Sequence, residues 1–212
     1  MEKLDRKWTA IWILIYAGFL ISDALFENFF GTTVLKYTGI VLCVIYAIVK
    51  FKKDYFLELA LGFTLLADTI LAINNTAIIG VFVFCFAQFF HLTRLKKIAP
   101  RNLFLYFVVI SLIFCFGVTY NADPMYVIAG LYGMTLGANI YLSYRWCKEK
   151  PSFASKCAFY GFVLFICCDI CVAFSYLSGT GVLIPEVYRV ANYLAWAFYY
   201  PSQVLISNSG EA

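Results

Sequence analysis

Two aspartates carry the chemistry of this chain, Asp68 and Asp169. Each is the lone charge in a long apolar run: Leu61-Gly-Phe-Thr-Leu-Leu-Ala-Asp-Thr-Ile-Leu71, and Tyr160-Gly-Phe-Val-Leu-Phe-Ile-Cys-Cys-Asp-Ile-Cys-Val-Ala173. A carboxyl group placed mid-membrane costs about 2.5–3.5 kcal/mol on insertion scales, and residues kept at that cost mark functional positions. Two carboxyl groups in a medium of low polarity can divide the work of proton transfer. One keeps its proton and acts as an acid, while the other stays ionised as a base or counter-charge. The same pair could instead carry protons for a transported solute.

Other polar residues recur at helical spacing. Asn192, Trp196, Tyr199 and Gln203 form one stripe, Tyr132, Thr135 and Asn139 a second, and Thr64 with Asp68 a third. These stripes are expected to face a polar cavity, and ordinary interhelical hydrogen bonding is the simpler use of the Asn, Gln and Thr positions. Gln88 and His91 lie one turn apart. His91 is the single histidine, whereas a catalytic zinc usually takes three protein ligands, most often two or more of them His, so a His-rich intramembrane zinc site is not available. Lys36 and Arg189 are basic residues set apart from the others, each able to hold a phosphate or to snorkel at an interface.

The elements that must position these groups follow from composition. Of 212 residues, 63% are hydrophobic and 13% charged, more apolar surface than a soluble domain of this length can bury. The net charge of +4 is spread over short loops rather than along one stripe, which excludes a nucleic-acid surface. Seven of the eight cysteines fall in or beside apolar runs, where they act as small hydrophobes and mildly favour a reducing compartment.

Hydropathy divides the chain into eight membrane spans, near 8–25, 33–49, 56–73, 76–92, 103–119, 125–144, 158–177 and 185–206, forming a single all-α transmembrane domain over 1–212. The first lacks a cleavage site and reads as a helix rather than a leader. Asp23 and Glu27 at its far end read as solvated interface carboxylates. Asn74-Asn75 reads as a turn, and Asp123-Pro124 as a cap followed by Pro at the first helical position. Ala129, Gly133 and Gly137 form a small-residue seam suited to close helix packing. The basic stretch 145–156 reads as a loop, Pro185 opens the last span and Pro201 kinks it. With eight spans, fourteen of the sixteen basic residues fall on one side and only Lys36 and Arg189 on the other, which puts both termini in the cytoplasm. On this reading Asp68 and Asp169 each lie roughly 17 Å into a core of about 30 Å, at a common depth.

In that frame the chain resembles the YhhN family, the lysoplasmalogenases. The resemblance rests on Lys36, Gly62-Phe-Thr-Leu-Leu-Ala-Asp68, Gly80-Val-Phe-Val-Phe-Cys-Phe-Ala-Gln-Phe-Phe-His91, Tyr132-Gly-Met134, the stretch from Gly161 to Asp169, and Tyr199-Tyr-Pro-Ser-Gln203. It covers about 35–206. The family pattern often has Gly before the first aspartate and Ser before the second, where this chain has Ala67 and Cys168.

The resemblance implies hydrolysis of the vinyl ether bond of lysoplasmalogens to a fatty aldehyde and glycerophosphoethanolamine or glycerophosphocholine. It implies a lysophospholipid substrate in the membrane, no cofactor and no metal, and Asp68 and Asp169 as the acid/base pair. Lys36, Arg189, Tyr132, His91, Asn192, Tyr199 and Gln203 are the candidate substrate-binding residues. The competing expectations are a proton-coupled carrier of a small solute or lipid, and a lipid-binding membrane protein without turnover.

Overall fold

The computed structural model describes residues 5–25, 30–74, 77–96, 124–179, 181 and 184–211, with six further positions between 108 and 119. The described residues are all α. Seven helices are defined: α1 Arg6–Leu25, α2 Phe30–Lys50, α3 Tyr55–Asn74, α4 Ala77–Lys96, α5 Pro124–Glu149, α6 Phe153–Gly179 and α7 Pro185–Ser207. The first six are long and apolar enough to cross a membrane, so the chain is a multi-pass integral membrane protein. Helices suit that solvent because every internal backbone N–H and C=O is satisfied within the segment. The outward faces are correspondingly apolar, with Ile13, Leu14, Leu25, Val49 and Met134 exposed. α7 is the least suited to lipid; it carries Glu186, Arg189, Asn192 and Gln203 and holds Pro201 within it.

The expected span 103–119 and the Asp123 cap lie largely or wholly outside the described residues, as do Glu27 and Asn75; the six described positions in that span are helical. One expected loop is mostly helix. α5 continues to Glu149 and α6 already starts at Phe153, so the basic stretch 145–156 keeps only a short break around Pro151. Charge does not stop a helix, and Arg145 pairs with Glu149 one turn on. Proline does stop it, and a reciprocal serine cap restarts it. The Ser155 N–H donates to Ser152 Oγ at 3.0 Å, and the Ser152 N–H donates to Ser155 Oγ at 2.9 Å. α7 begins with Pro185 in its first turn, where a missing N–H costs nothing.

The chain divides into two compact units: Met1–Val49 with Pro151–Gly210, and Lys50–Lys150 with the last two residues. The first unit holds α1, α2, α6 and α7. α6 and α7 form its most extensive pairing, with Gly161 of α6 set close against Leu205 and Ile206. α2 lies against α7 at Gly39, which faces the ring of Tyr200, and at Tyr46, whose hydroxyl donates to Asn208 Oδ1 at 2.9 Å. α1 closes this side. The Tyr16 hydroxyl donates to the Ala197 carbonyl at 2.9 Å, and Trp12 packs edge-on to Tyr46.

The second unit holds α3, α4 and α5. α3 and α4 are antiparallel: Phe63 stacks on Phe86 and meets Phe90 at a tilt, and Leu71 fills the notch at Gly80. α4 and α5 run parallel, joined by the Phe84–Tyr132 ring contact and, one turn on along α4 and two along α5, by Gln88 with Asn139. The seam at Ala129, Gly133 and Gly137 is not what packs α5. Among the described residues Gly133 and Gly137 are exposed, and a Cβ added at either meets none of them. Buried Ile128, Leu131, Thr135, Leu136 and Asn139 form the face that packs.

Candidate functional site

In the first unit, α2 presents Lys36 to α1 and α7. Its ammonium is 2.6 Å from Asp23 Oδ2 and 4.9 Å from the centre of the Trp196 ring, with Phe19 at 5.8 Å. The side chains of Lys36 and Asp23 are only 10% and 19% exposed, so the pair is largely withdrawn from solvent. This corrects the expectation for Asp23, which is not a solvated interface carboxylate but the partner of Lys36. It also changes Lys36: the cation is neutralised and capped by an aromatic face. The signal available in the sequence was opposite charge on either side of the short link between the first two spans.

Asp169 enters the same unit from α6. The ring of Phe165 lies 5.6 Å from that of Tyr199, and Gly161 abuts Ile206. One turn beyond Phe165, Asp169 therefore comes level with Ala195 and Trp196 of α7. Lys36, Trp196 and Asp169 thus share one level of the first unit. Asp169 is half-buried. Tyr199 and Gln203 are buried at 6% and 1% exposure, one and two turns further along α7. Asn192 and Arg189 are exposed, so the expected inward stripe of α7 begins only at Trp196.

In the second unit, the register of α3 on α4 brings Asp68 level with Val83 and Phe84. Phe84 in turn meets Tyr132 of α5 at 6.0 Å between ring centres. Asp68 and Tyr132 are therefore level, and both are half-buried. Gln88 and His91 point into the unit, 0% and 1% exposed. Asn139 Nδ2 donates both to the main-chain oxygen of Gln88, at 2.8 Å, and to its Oε1, at 2.9 Å. At the end of α4, Arg94 Nε donates to Asp54 Oδ2 at 2.8 Å, and Asp54 also accepts from the Leu57 N–H at the start of α3. That ion pair fastens α4 to the α3 N-terminus.

The structure thus arranges the sequence-derived candidates in two sets: Asp169 with Lys36, Tyr199 and Gln203 in the first unit, and Asp68 with Tyr132 and His91 in the second. In each, one mid-helix aspartate lies level with an aromatic side chain, Trp196 or Phe84, and the first set also contains Asp23, the partner of Lys36. Such a carboxyl can give or take a proton, and the amides and phenols can hold uncharged oxygen atoms. None of the eight cysteines is bridged.

No curated protein and no solved structure matches the chain. A family model does match, over residues 31–210. The matched stretch takes in both aspartates, Lys36 and all of α7, and leaves out Asp23. By that match the chain belongs to the YhhN family.

Proposed function

We propose that the chain is an intramembrane hydrolase of the lysoplasmalogenase type, cleaving the vinyl ether bond of a lysophospholipid. The observation that carries this reading is membership of the YhhN family, which includes lysoplasmalogenases, over a stretch holding both mid-helix aspartates.

Vinyl ether hydrolysis needs an acid more than a nucleophile. A proton goes to the β-carbon and leaves an oxocarbenium ion. Water adds to the cationic carbon and loses a proton, giving a hemiacetal that collapses to aldehyde and free glycerol hydroxyl. The sum is one water consumed, one C–O bond broken and no redox change. The enzyme must therefore keep one carboxyl protonated and set an anion near the developing cation. Burial favours the protonated acid, and the arrangement parallels the acid and carboxylate that flank the oxocarbenium-like state of glycosidases.

Asp68 and Asp169 supply these two roles. Lys36, at the level of Asp169, takes the headgroup phosphate by exchanging with Asp23, and Trp196 keeps the ammonium in place meanwhile. Tyr199 and Gln203 donate to glycerol or ether oxygens, as Tyr132 does beside Asp68. Exposed Arg189 and Asn192 meet the headgroup from the start of α7, and His91 contributes a buried imidazole to the lining. The apolar helix faces accommodate the alkenyl chain.

The test is mass spectrometry of a lysolipid panel incubated with purified full-length protein in lipid nanodiscs. Fatty aldehyde released from lysoplasmalogens, with ester lysolipids left intact, supports the reading. Bound but uncleaved lipid favours a binding protein, and solute flux without cleavage favours a carrier.

A further inference from the structure

Among the described residues of the second unit, Thr64, Gln88 and Asn139 each carry a buried side-chain atom with no hydrogen-bond partner. Asn139 directs both its amide hydrogens at Gln88, one to the main-chain oxygen and one to Oε1. This fixes the orientation of both amides, because turning either over would set like atoms face to face. It also leaves Gln88 Nε2, a donor, and Asn139 Oδ1, an acceptor, with no partner among the described residues. Both residues are 0% exposed.

The third atom is the hydroxyl of Thr64, on a residue 1% exposed. The other threonines of this unit that carry a defined hydroxyl bond (Thr69, Thr93, Thr119 and Thr135) each donate to the carbonyl four residues back. Thr64 does not. Its level is set by Phe63, which contacts both Phe86 and Phe90, so Thr64 lies level with Ala87 and Gln88. One donor, one acceptor and one hydroxyl that can be either thus occupy a single layer of α3, α4 and α5. Asp68 is one turn along α3 from that layer, about 6 Å at 1.5 Å per residue.

We propose that Thr64, Gln88 and Asn139 hold a bound water inside the second unit, adjacent to Asp68. A buried water needs two to four polar partners, and this layer offers three of complementary kind. An apolar molecule gains nothing there, and an ion finds no charge in the layer to balance it. Resting on the hydrolase reading, the consequence is a positioning role: the layer keeps water beside Asp68 where the bilayer supplies none. The substrate's water then arrives through the protein rather than through lipid.

Two measurements test this. The first is a structure of the full-length protein at a resolution that shows ordered water. Density within about 2.7–3.2 Å of both Gln88 Nε2 and Asn139 Oδ1 is expected. If both atoms bond to protein groups, or the layer is dry, the site does not exist. That result stands whether or not the protein is a hydrolase. The second compares Thr64→Val with Thr64→Ser. Removing the hydroxyl should lower kcat about tenfold, the effect of roughly one hydrogen bond on a barrier, with KM unchanged. Thr64→Ser should restore kcat. An unaltered kcat in Thr64→Val, or a loss that Thr64→Ser does not recover, overturns the supply role. Wild-type protein that releases no aldehyde defeats the hydrolase reading instead and leaves the density to decide the site.

Discussion

The ammonium of Lys36 lies 2.6 Å from the carboxylate of Asp23, and the ring of Trp196 closes over it at 4.9 Å. Three helices, α1, α2 and α7, are tied together by one cation. A pair so withdrawn from water is costly to break from one side, because the remaining charge keeps its desolvation penalty and loses its partner.

Lys36→Met should therefore destabilise the protein by about 3 kcal/mol, and Asp23→Asn by a similar amount. The double substitution should cost much less than the sum. Thermal unfolding in detergent of the two single variants and the double variant gives the coupling directly. Simple additivity would show that the pair contributes nothing beyond two separate side chains.

The glycines separate by what faces them. Gly39 lies against the ring of Tyr200, itself 1% exposed, and Gly161 lies against the Ile206 backbone. Alanine at either must push a packed ring or a backbone aside, at a cost of about 1–3 kcal/mol. Alanine at Gly133 or Gly137 meets none of the described residues. The expected ranking of melting temperatures puts Gly133→Ala and Gly137→Ala at or above wild type, with Gly39→Ala and Gly161→Ala clearly below.

Asp54 has two duties. It accepts from the Leu57 N–H at 3.2 Å, capping α3, and it pairs with Arg94, whose side chain is 8% exposed. Asp54→Ala should thus cost more than the roughly 1 kcal/mol of a cap alone. Asp54→Asn keeps a capping oxygen and should recover part of the loss. Denaturation midpoints of the two variants distinguish these contributions, and equal midpoints would show that only the charge matters.

The helices were legible because hydropathy acts over a whole span, and a run such as 56–73 has no other stable form in lipid. Asp68 and Asp169 were legible for the same reason, as isolated charges in those runs. What depends on rotation and register was not. The spacing of Ala129, Gly133 and Gly137 marks a smooth face but not what lies against it, and that face of α5 is open at both glycines. The Asp23–Lys36 pair needs two helices in a particular register, which no single-span pattern encodes. The stretch 145–156 was misread because its charges resemble a loop, although Arg and Lys are good helix formers. The orphan hydroxyl of Thr64 became visible only beside the bonded threonines around it.

In the proposed reaction both mid-helix carboxyl groups take part in breaking a vinyl ether. Aldehyde release from lysoplasmalogen by Asp68→Asn and by Asp169→Asn, each first shown to unfold as wild type does, tests it most directly. Asparagine keeps the shape and removes the exchangeable acid proton and the negative charge. Each variant is expected to lose activity by at least about 100-fold, the lower range for general acid–base catalysis. Aldehyde release at the wild-type rate from either variant would contradict it.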